Sequence, residues 1–327
     1  MAENLIDAYE RKINYLRISV TDRCNLKCLY CRPRQGFRTI THKDVLRYEE
    51  IARLVDIFCS LGVRKVRISG GEPLVRKGID QCIQMISNHR VIKDLALSTN
   101  GIYLGPLAQS LKRAGLHRVN ISLDTLKPER FSHITGLDSL HQVLSGIDKA
   151  LEAGLRPVKI NAVLMKGIND DEIEDFAQLS LRWPVEVRFI ELMPMRNCFE
   201  RGEQYFYSNR DAKKRIENRF ELIKDQDAQQ HVAQMYRIRD GYGKLGFISP
   251  LSESFCRACN RVRLTANGFL RLCLHEAGGI DLRAYLRNGS SSQSIKNAIL
   301  ESMRAKPEKH RLNEAGERHT IMTQIGG

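Results

Sequence analysis

The chain has 327 residues, 42% of them hydrophobic, enough for one large α/β barrel or two ordinary domains around a real core. No run of about 18 apolar residues occurs, and Met1 to Arg11 carries acidic and polar residues where a signal peptide needs a basic and then an apolar stretch; no membrane association and a cytoplasmic location are expected. A formal net charge of +14 creates a broad positive field that suits nucleic acid, an anionic membrane or a multiply charged small substrate, and charge alone does not choose among them.

From Tyr15 to Leu192 short β-rich runs alternate with amphipathic helical stretches. The predicted strands are Leu16 to Val20, Lys65 to Ile68, Leu95 to Thr99, Arg118 to Leu123, Val158 to Val163 and Val185 to Leu192. Between them lie helical patterns such as Ile51, Leu54, Val55 and Phe58, or Leu107, Leu111 and Ala114. Six such repeats imply a parallel sheet, open or curved into a partial barrel, with ligands at the carboxyl ends of its strands. After Met193 the alternation stops. Arg210 to Asp227 reads as one exposed helix ending in a polar linker, followed by a Gly-rich turn (Gly241, Gly243, Gly246) and a basic tail that ends Ile325-Gly326-Gly327.

Nine cysteines in a chain with no secretion signal argue for thiols rather than a disulfide framework. Cys59 and Cys82 sit in helical patterns and read as buried, inert thiols, and Cys198 is uninformative. The other six form two triplets. Cys24, Cys28 and Cys31 directly follow the first strand, so their thiolates can converge from one loop at the carboxyl end of the sheet. A structural zinc ion normally takes four protein ligands, and the nearest histidine, His42, is far along the chain. An iron-sulfur cluster held by three cysteines keeps one iron free for a non-protein ligand.

This spacing, with Tyr30 just before the last cysteine, resembles the signature of the radical S-adenosylmethionine enzymes. The resemblance implies that S-adenosyl-L-methionine chelates the open iron and is cleaved to a 5′-deoxyadenosyl radical. Gly70-Gly71-Glu72-Pro73 follows the second strand, where glycines let backbone approach a ligand and a carboxylate can accept from an ammonium group. It is similar to the family's site for the methionyl amino group. By the same resemblance Tyr30, Gly71, Glu72, Ser122 and Met193 are cofactor-binding positions.

Strands of a helix-covered parallel sheet should be nearly continuous in apolar residues. Four here are interrupted once by a cation: Arg17, Arg67, Lys159 and Arg188. An unpaired buried charge costs several kcal/mol, so each needs a carboxylate such as Glu191 or a shared anionic ligand. Nucleic acid fits poorly, because its backbone is bound on exposed faces.

Cys256, Cys259 and Cys273 form the second triplet, with His275 near enough to be a fourth ligand in a Cys3His zinc site. The segment Phe255 to Gly268 around it closely resembles the C-terminal part of the GTP 3′,8-cyclase family of molybdenum cofactor synthesis, and the likeness extends from about Tyr15 to the final glycines. That resemblance implies two [4Fe-4S] clusters, the second binding the guanine of GTP. It implies GTP contacts from Arg17, Arg67, Ser98, Lys159, Arg261, Val262 and Arg263, with Arg188 an additional one, and an active-site tail at Gly326 and Gly327. Arg32 and His275 depart from the family pattern, in which methionine and an aromatic are usual.

The resulting expectation is an α/β partial (βα)6 TIM-like barrel over residues 1–195, with a C-terminal region, residues 196–327, closing the barrel opening. Its expected activity is the radical rearrangement of GTP to 3′,8-cyclo-7,8-dihydro-GTP, a lyase reaction. A radical peptide-modifying enzyme with an auxiliary cluster and a basic zinc protein binding nucleic acid are the alternatives. The expected partners are GTP, an electron donor and the next enzyme, cyclic pyranopterin monophosphate synthase; a homodimer is compatible with the chain.

Overall fold

A period-two alternation of apolar and polar side chains organises the sheet. In the computed structural model, which describes residues 4–31, 39–194, 202–226, 232–310 and 322–325, six strands run parallel in chain order. They are β1 (Tyr15–Ser19), β2 (Lys65–Ser69), β3 (Asp94–Thr99), β4 (Arg118–Ser122), β5 (Val158–Leu164) and β6 (Val185–Glu191). Leu16 and Ile18, Val66 and Ile68, Leu95 and Leu97, Val119 and Ile121, and Val187 and Phe189 all join the hydrophobic core. The residues between them point the other way, because successive strand side chains alternate faces. These strands are therefore not apolar runs with one interruption, as the sequence suggested. One face is wholly committed to the core, and the opposite face is mostly polar.

Helices α1 (Tyr48–Ser60), α2 (Ile79–Ser87), α3 (Leu104–Arg113), α4 (Pro128–Thr135), α5 (Leu140–Glu152) and α6 (Ile173–Arg182) fall between the strands. In α1 the stripe Ile51, Leu54, Val55 and Phe58 is buried as its spacing predicts. In α3 the buried positions are Leu104, Ala108 and Leu111, while Leu107 and Ala114 lie at the margin of the core. Cys59 and Cys82 are buried in this layer.

The segment after Met193 departs from its reading as one long helix. Helix α7 (Asn209–Glu217) ends early, and β7 (Leu222–Lys224) pairs antiparallel with β8 (Gln234–Ile238), so pairing across the sheet overrides local helical propensity. β8 pairs with β9 (Lys244–Ile248), which lies parallel beside β6. On the opposite edge β10 (Arg261–Leu264) lies parallel beside β1 and continues antiparallel into β11 (Phe269–Arg271) and β12 (Gly279–Asp281). The C-terminal region thus extends the six-strand arc at both edges, and the twelve-stranded sheet is not closed. Helices α8 (Leu282–Arg287) and α9 (Ser292–Ser302) follow; Arg287 pairs with Glu50 at 3.0 Å and Arg53 donates to the Ser290 carbonyl at 2.7 Å, fastening this region to α1.

Candidate functional site

Strand register turns the polar face into a field of cations. Arg263 on β10, Arg17 on β1 and Arg67 on β2 are direct register partners, side by side in one row. Burial depresses all three guanidinium groups: Arg67 to about 10, Arg263 to about 9, and Arg17 well below the ordinary value, with Arg263 and Arg67 adding repulsion at Arg17. A guanidinium keeps its proton, so burial and mutual repulsion here oppose a charge that a neighbouring anion would favour. The Nε atoms of Arg17, Arg67 and Arg188 are buried with no hydrogen-bond partner. Tyr15 lies among them, its ring 5.5 Å from the Arg67 guanidinium and its hydroxyl buried without a partner.

Across the interior the cations find carboxylate partners within the chain. Arg118 grips Asp94 with two bonds of 2.8 and 2.7 Å, and also donates to Asn120 at 3.1 Å. Glu186 Oε2 lies 2.7 Å from Lys159 Nζ and 2.8 Å from Arg188 Nη2. Burial, then repulsion from Arg188, brings the Lys159 ammonium down to about 7. Gly246 on β9 is the register partner of Arg188; a Cβ there would lie 3.2 Å from Arg188 Cγ and 2.9 Å from Met235 Sδ, so the glycine makes room for the arginine stem.

The first cysteine loop is fastened at several points. Lys27 and Leu29 donate backbone bonds of 2.9 and 3.0 Å to the end of α4. The Tyr30 hydroxyl donates to Asp124 at 2.7 Å, and Asp124 also accepts from the Val163 amide at 2.8 Å. Asn100 donates to Asn25 at 2.8 Å and reaches Cys24 Sγ at 3.9 Å. Burial drives the Asp124 carboxyl up to about 6.

Gly70 and Gly71 lie beneath this loop. A Cβ on them would come within 2.6 Å of the Thr21 carbonyl and 2.3 Å of the Arg23 carbonyl. Gly71 and Glu72 donate to those same carbonyls at 2.6 and 2.8 Å. The close approach that their small size permits is therefore to the cysteine loop itself. The buried Glu72 carboxylate accepts from Leu74 at 2.9 Å, Thr99 at 2.8 Å and the Asn100 amide at 2.6 Å, and burial raises it to about 7. It ties the turn after β2 to the end of β3.

Cys24, Cys28 and Cys31 are in no disulfide bond. Burial pushes the Cys28 thiol well up, and Cys31, Asp124 and Cys24 push it further, so the three sense one another. Among the described residues no three His, Cys, Asp or Glu side chains converge as they would on a single metal ion. Three cysteine thiols on the loop that follows β1 are a donor set that fits an iron-sulfur cluster.

At the other site the β10–β11 hairpin carries Cys273 back toward Cys256 and Cys259. Buried Lys306 reaches Cys259 Sγ at 3.8 Å and the Arg261 carbonyl at 3.0 Å, and also donates to the Leu272 carbonyl. Burial opposes the Cys259 thiolate, but Lys306 and Arg261 outweigh it and lower the thiol. Arg11 links the N-terminal segment to this loop by donating to the Cys256 carbonyl at 2.9 Å. The His275 ring packs edge-on against His310 at 5.5 Å, and burial, followed by His310, brings it down to about 3.

Of the other predicted positions, Ser122 is exposed at the carboxyl end of β4, Met193 is half-buried just past β6, and Ser98 lies beside Asn120 on the polar face. Arg261 begins β10 with its guanidinium 5.1 Å from the Phe255 ring. Val262 has the opposite parity and its side chain is in the core, so only its backbone can meet a ligand in the interior. Arg32, Cys198, Gly326 and Gly327 lie outside the described residues. Glu191 is not the partner of the strand cations; it accepts from Asn209, Leu251 and Ser252, which anchors the chain after β6. Sequence reasoning missed Glu186, Asp94 with Arg118, Asp124 and Lys306. The even spacing of Glu186 and Arg188 was a usable signal for the first of these.

The Radical SAM superfamily profile matches residues 18–180, and the Molybdenum Cofactor Synthesis C profile matches residues 185–312. The GTP 3′,8-cyclase of Heliobacterium modesticaldum is 46% identical over 327 residues, 99% of this chain and 100% of that protein. The GTP 3′,8-cyclase of Alkaliphilus oremlandii is 47% identical over 323 residues, covering 98% and 99%. The crystal structure of Streptococcus suis SuiB shares the fold, with a TM-score of 0.62 at 17% identity over 91% of this chain and 68% of that one. Full-length identity to the cyclases, together with both profiles, shows that the chain belongs to the GTP 3′,8-cyclase family of the radical S-adenosylmethionine superfamily.

Proposed function

We propose that this chain converts GTP to 3′,8-cyclo-7,8-dihydro-GTP, the first step of molybdenum cofactor (molybdopterin) biosynthesis, as a radical S-adenosylmethionine lyase working in the cytoplasm. The observation that carries the substrate assignment is the in-register row Arg263, Arg17 and Arg67 on the polar face, in which the Nε atoms of Arg17 and Arg67 are buried without a partner. Arginine forks match phosphate oxygens in pairs, and Lys159 and Arg188 extend the field across the interior.

Cys24, Cys28 and Cys31 would hold one [4Fe-4S] cluster and Cys256, Cys259 and Cys273 a second. When bound, the first cluster and S-adenosyl-L-methionine supply reductive radical chemistry at the ribose, and the second supplies an open iron for guanine. Tyr30, Gly71, Glu72, Ser122 and Met193 would line the S-adenosyl-L-methionine side of the first site. There Glu72 and Asp124 hold the loop, and Ser122 and Met193 would face S-adenosyl-L-methionine. The cations would fix the triphosphate, which orients the ribose. Gly326 and Gly327 would reach the same cavity as a side-chain-free tail. Residues 1–195 would form the radical domain and 196–327 the region bearing the second cluster. An electron donor, cyclic pyranopterin monophosphate synthase and a second copy of the chain are the proposed partners.

Anaerobic incubation of the reconstituted protein with GTP, S-adenosyl-L-methionine and dithionite should yield 5′-deoxyadenosine and the cyclised nucleotide together by mass analysis. Cys28→Ala should abolish both products. Cys273→Ala should retain the first cluster and lose GTP conversion. Release of 5′-deoxyadenosine with GTP untouched in the unaltered protein would overturn the substrate assignment.

A further inference from the structure

On β1 to β6 and β10, the charged residues that share the polar face are cations with two exceptions, Asp94 and Glu186. Asp94 is fully engaged by the two-bond grip of Arg118 at the start of its strand. Glu186 is placed differently. It sits in a register row running Ser98, Asn120, Lys159, Glu186, and a single oxygen is shared by two cations.

This arrangement leaves the cations incompletely satisfied. Arg188 meets Glu186 through Nη2 while its Nε is buried without a partner. The three side chains keep 11% to 16% exposure, so they border accessible space. A polyphosphate entering that space meets Lys159 and Arg188 already engaged, and meets a carboxylate of its own sign. Like charges at such range repel, the more strongly the less water screens them.

We propose that Glu186 is a resident counter-charge: it holds Lys159 and Arg188 in the empty cavity, gives way when a polyphosphate takes them over, and so limits how tightly anions bind. The nucleotide part of this assignment rests on the GTP reading above. A residue with this role weakens binding by being present, the reverse of a residue that merely supports the site. It also disfavours ligands with few charges, because they return too little attraction to replace the two pairs that Glu186 gives up.

The test is equilibrium binding of GTP, GDP and inorganic tripolyphosphate to the full chain carrying its clusters. Glu186→Gln keeps the shape and removes the charge, and should tighten GTP and tripolyphosphate by about tenfold and GDP by less. Glu186→Asp keeps the charge and should stay within about twofold of the unaltered protein. Unchanged or weaker GTP binding by folded Glu186→Gln overturns the proposal. If that variant does not fold, Lys159→Gln is compared with Lys159→Gln/Glu186→Gln, where the double variant must bind tripolyphosphate more tightly or the proposal fails. Tripolyphosphate binding that tightens in Glu186→Gln, in a protein that ignores GTP, supports the counter-charge and overturns the GTP reading. Binding of neither by the unaltered protein overturns both.

Discussion

The two halves of the cavity solve the same electrostatic problem in opposite ways. Around β10, β1 and β2, Arg263, Arg17 and Arg67 stand in a row, and no carboxylate ion pair involves Arg17 or Arg67 among the described residues. Around β3 to β6, Asp94 answers Arg118, and Glu186 answers Lys159 and Arg188. In the first half Arg17 and Arg67 have no carboxylate partner among the described residues, so a ligand is what supplies negative charge beside them. The cations of the second are already paired within the chain, so a ligand gains only the difference between its own contacts and those it displaces. Similar cations in one cavity should therefore contribute unequally to binding and with opposite sign to stability.

The largest expected effect tests the first half. Arg17→Met should weaken GTP binding by about a hundredfold, roughly 3 kcal/mol, yet raise the melting temperature of the nucleotide-free protein, because an unpaired buried cation is replaced by an apolar side chain of similar length. A lower melting temperature would mean that Arg17 is already balanced, and the contrast between the halves would collapse.

Asp94→Asn addresses the second half from its anionic side. It leaves Arg118 without its carboxylate and should destabilise the fold by about 2 kcal/mol in denaturant titration, with GTP affinity nearly unchanged. A loss of affinity larger than the loss of stability would place Arg118 in the substrate site. Lys159→Met should weaken GTP binding by only about fivefold, near 1 kcal/mol, since the lysine exchanges Glu186 for phosphate; a hundredfold loss would erase the distinction from Arg17.

The smallest effect is a pH slope. With its ammonium brought to about 7 in the nucleotide-free protein, Lys159 is charged below that value and neutral above it. An anion that favours the charged form must therefore load a proton at higher pH. GTP affinity should fall a few-fold from about pH 6 to about pH 8.5, and Lys159→Arg should flatten that part of the profile. Arg188, Arg118 and Glu186 are the charged groups acting on Lys159, and none of the three changes in this variant.

Much of this was legible in the chain. The six strands lie within one or two residues of their predicted bounds, because β-rich runs and intervening helical periodicity are local signals. Arg17, Arg67, Lys159 and Arg188 stood out because a cation between two aliphatic residues is improbable on a buried strand. Their partners were harder to see. Glu191 was the suspected carboxylate and Glu186 is the actual one, since only the register of β5 against β6 decides which glutamate faces Lys159. Val262 was grouped with Arg261 and Arg263, although alternation turns its side chain to the opposite face. That Gly70 and Gly71 pack against the backbone before the cysteine loop was likewise not visible in the sequence.

By itself the sequence determined the strand–helix order, the two cysteine triplets and the excess of cations, all of which depend on spacing along the chain. Tertiary structure alone decided that β10 lies beside β1, bringing Arg263 level with Arg17 across some 246 residues, and that Lys306 reaches back to Cys259. The reason is physical: periodicity fixes which face a side chain occupies, whereas charge pairing depends on which strands become neighbours and in what register, and that is set by packing of the whole sheet.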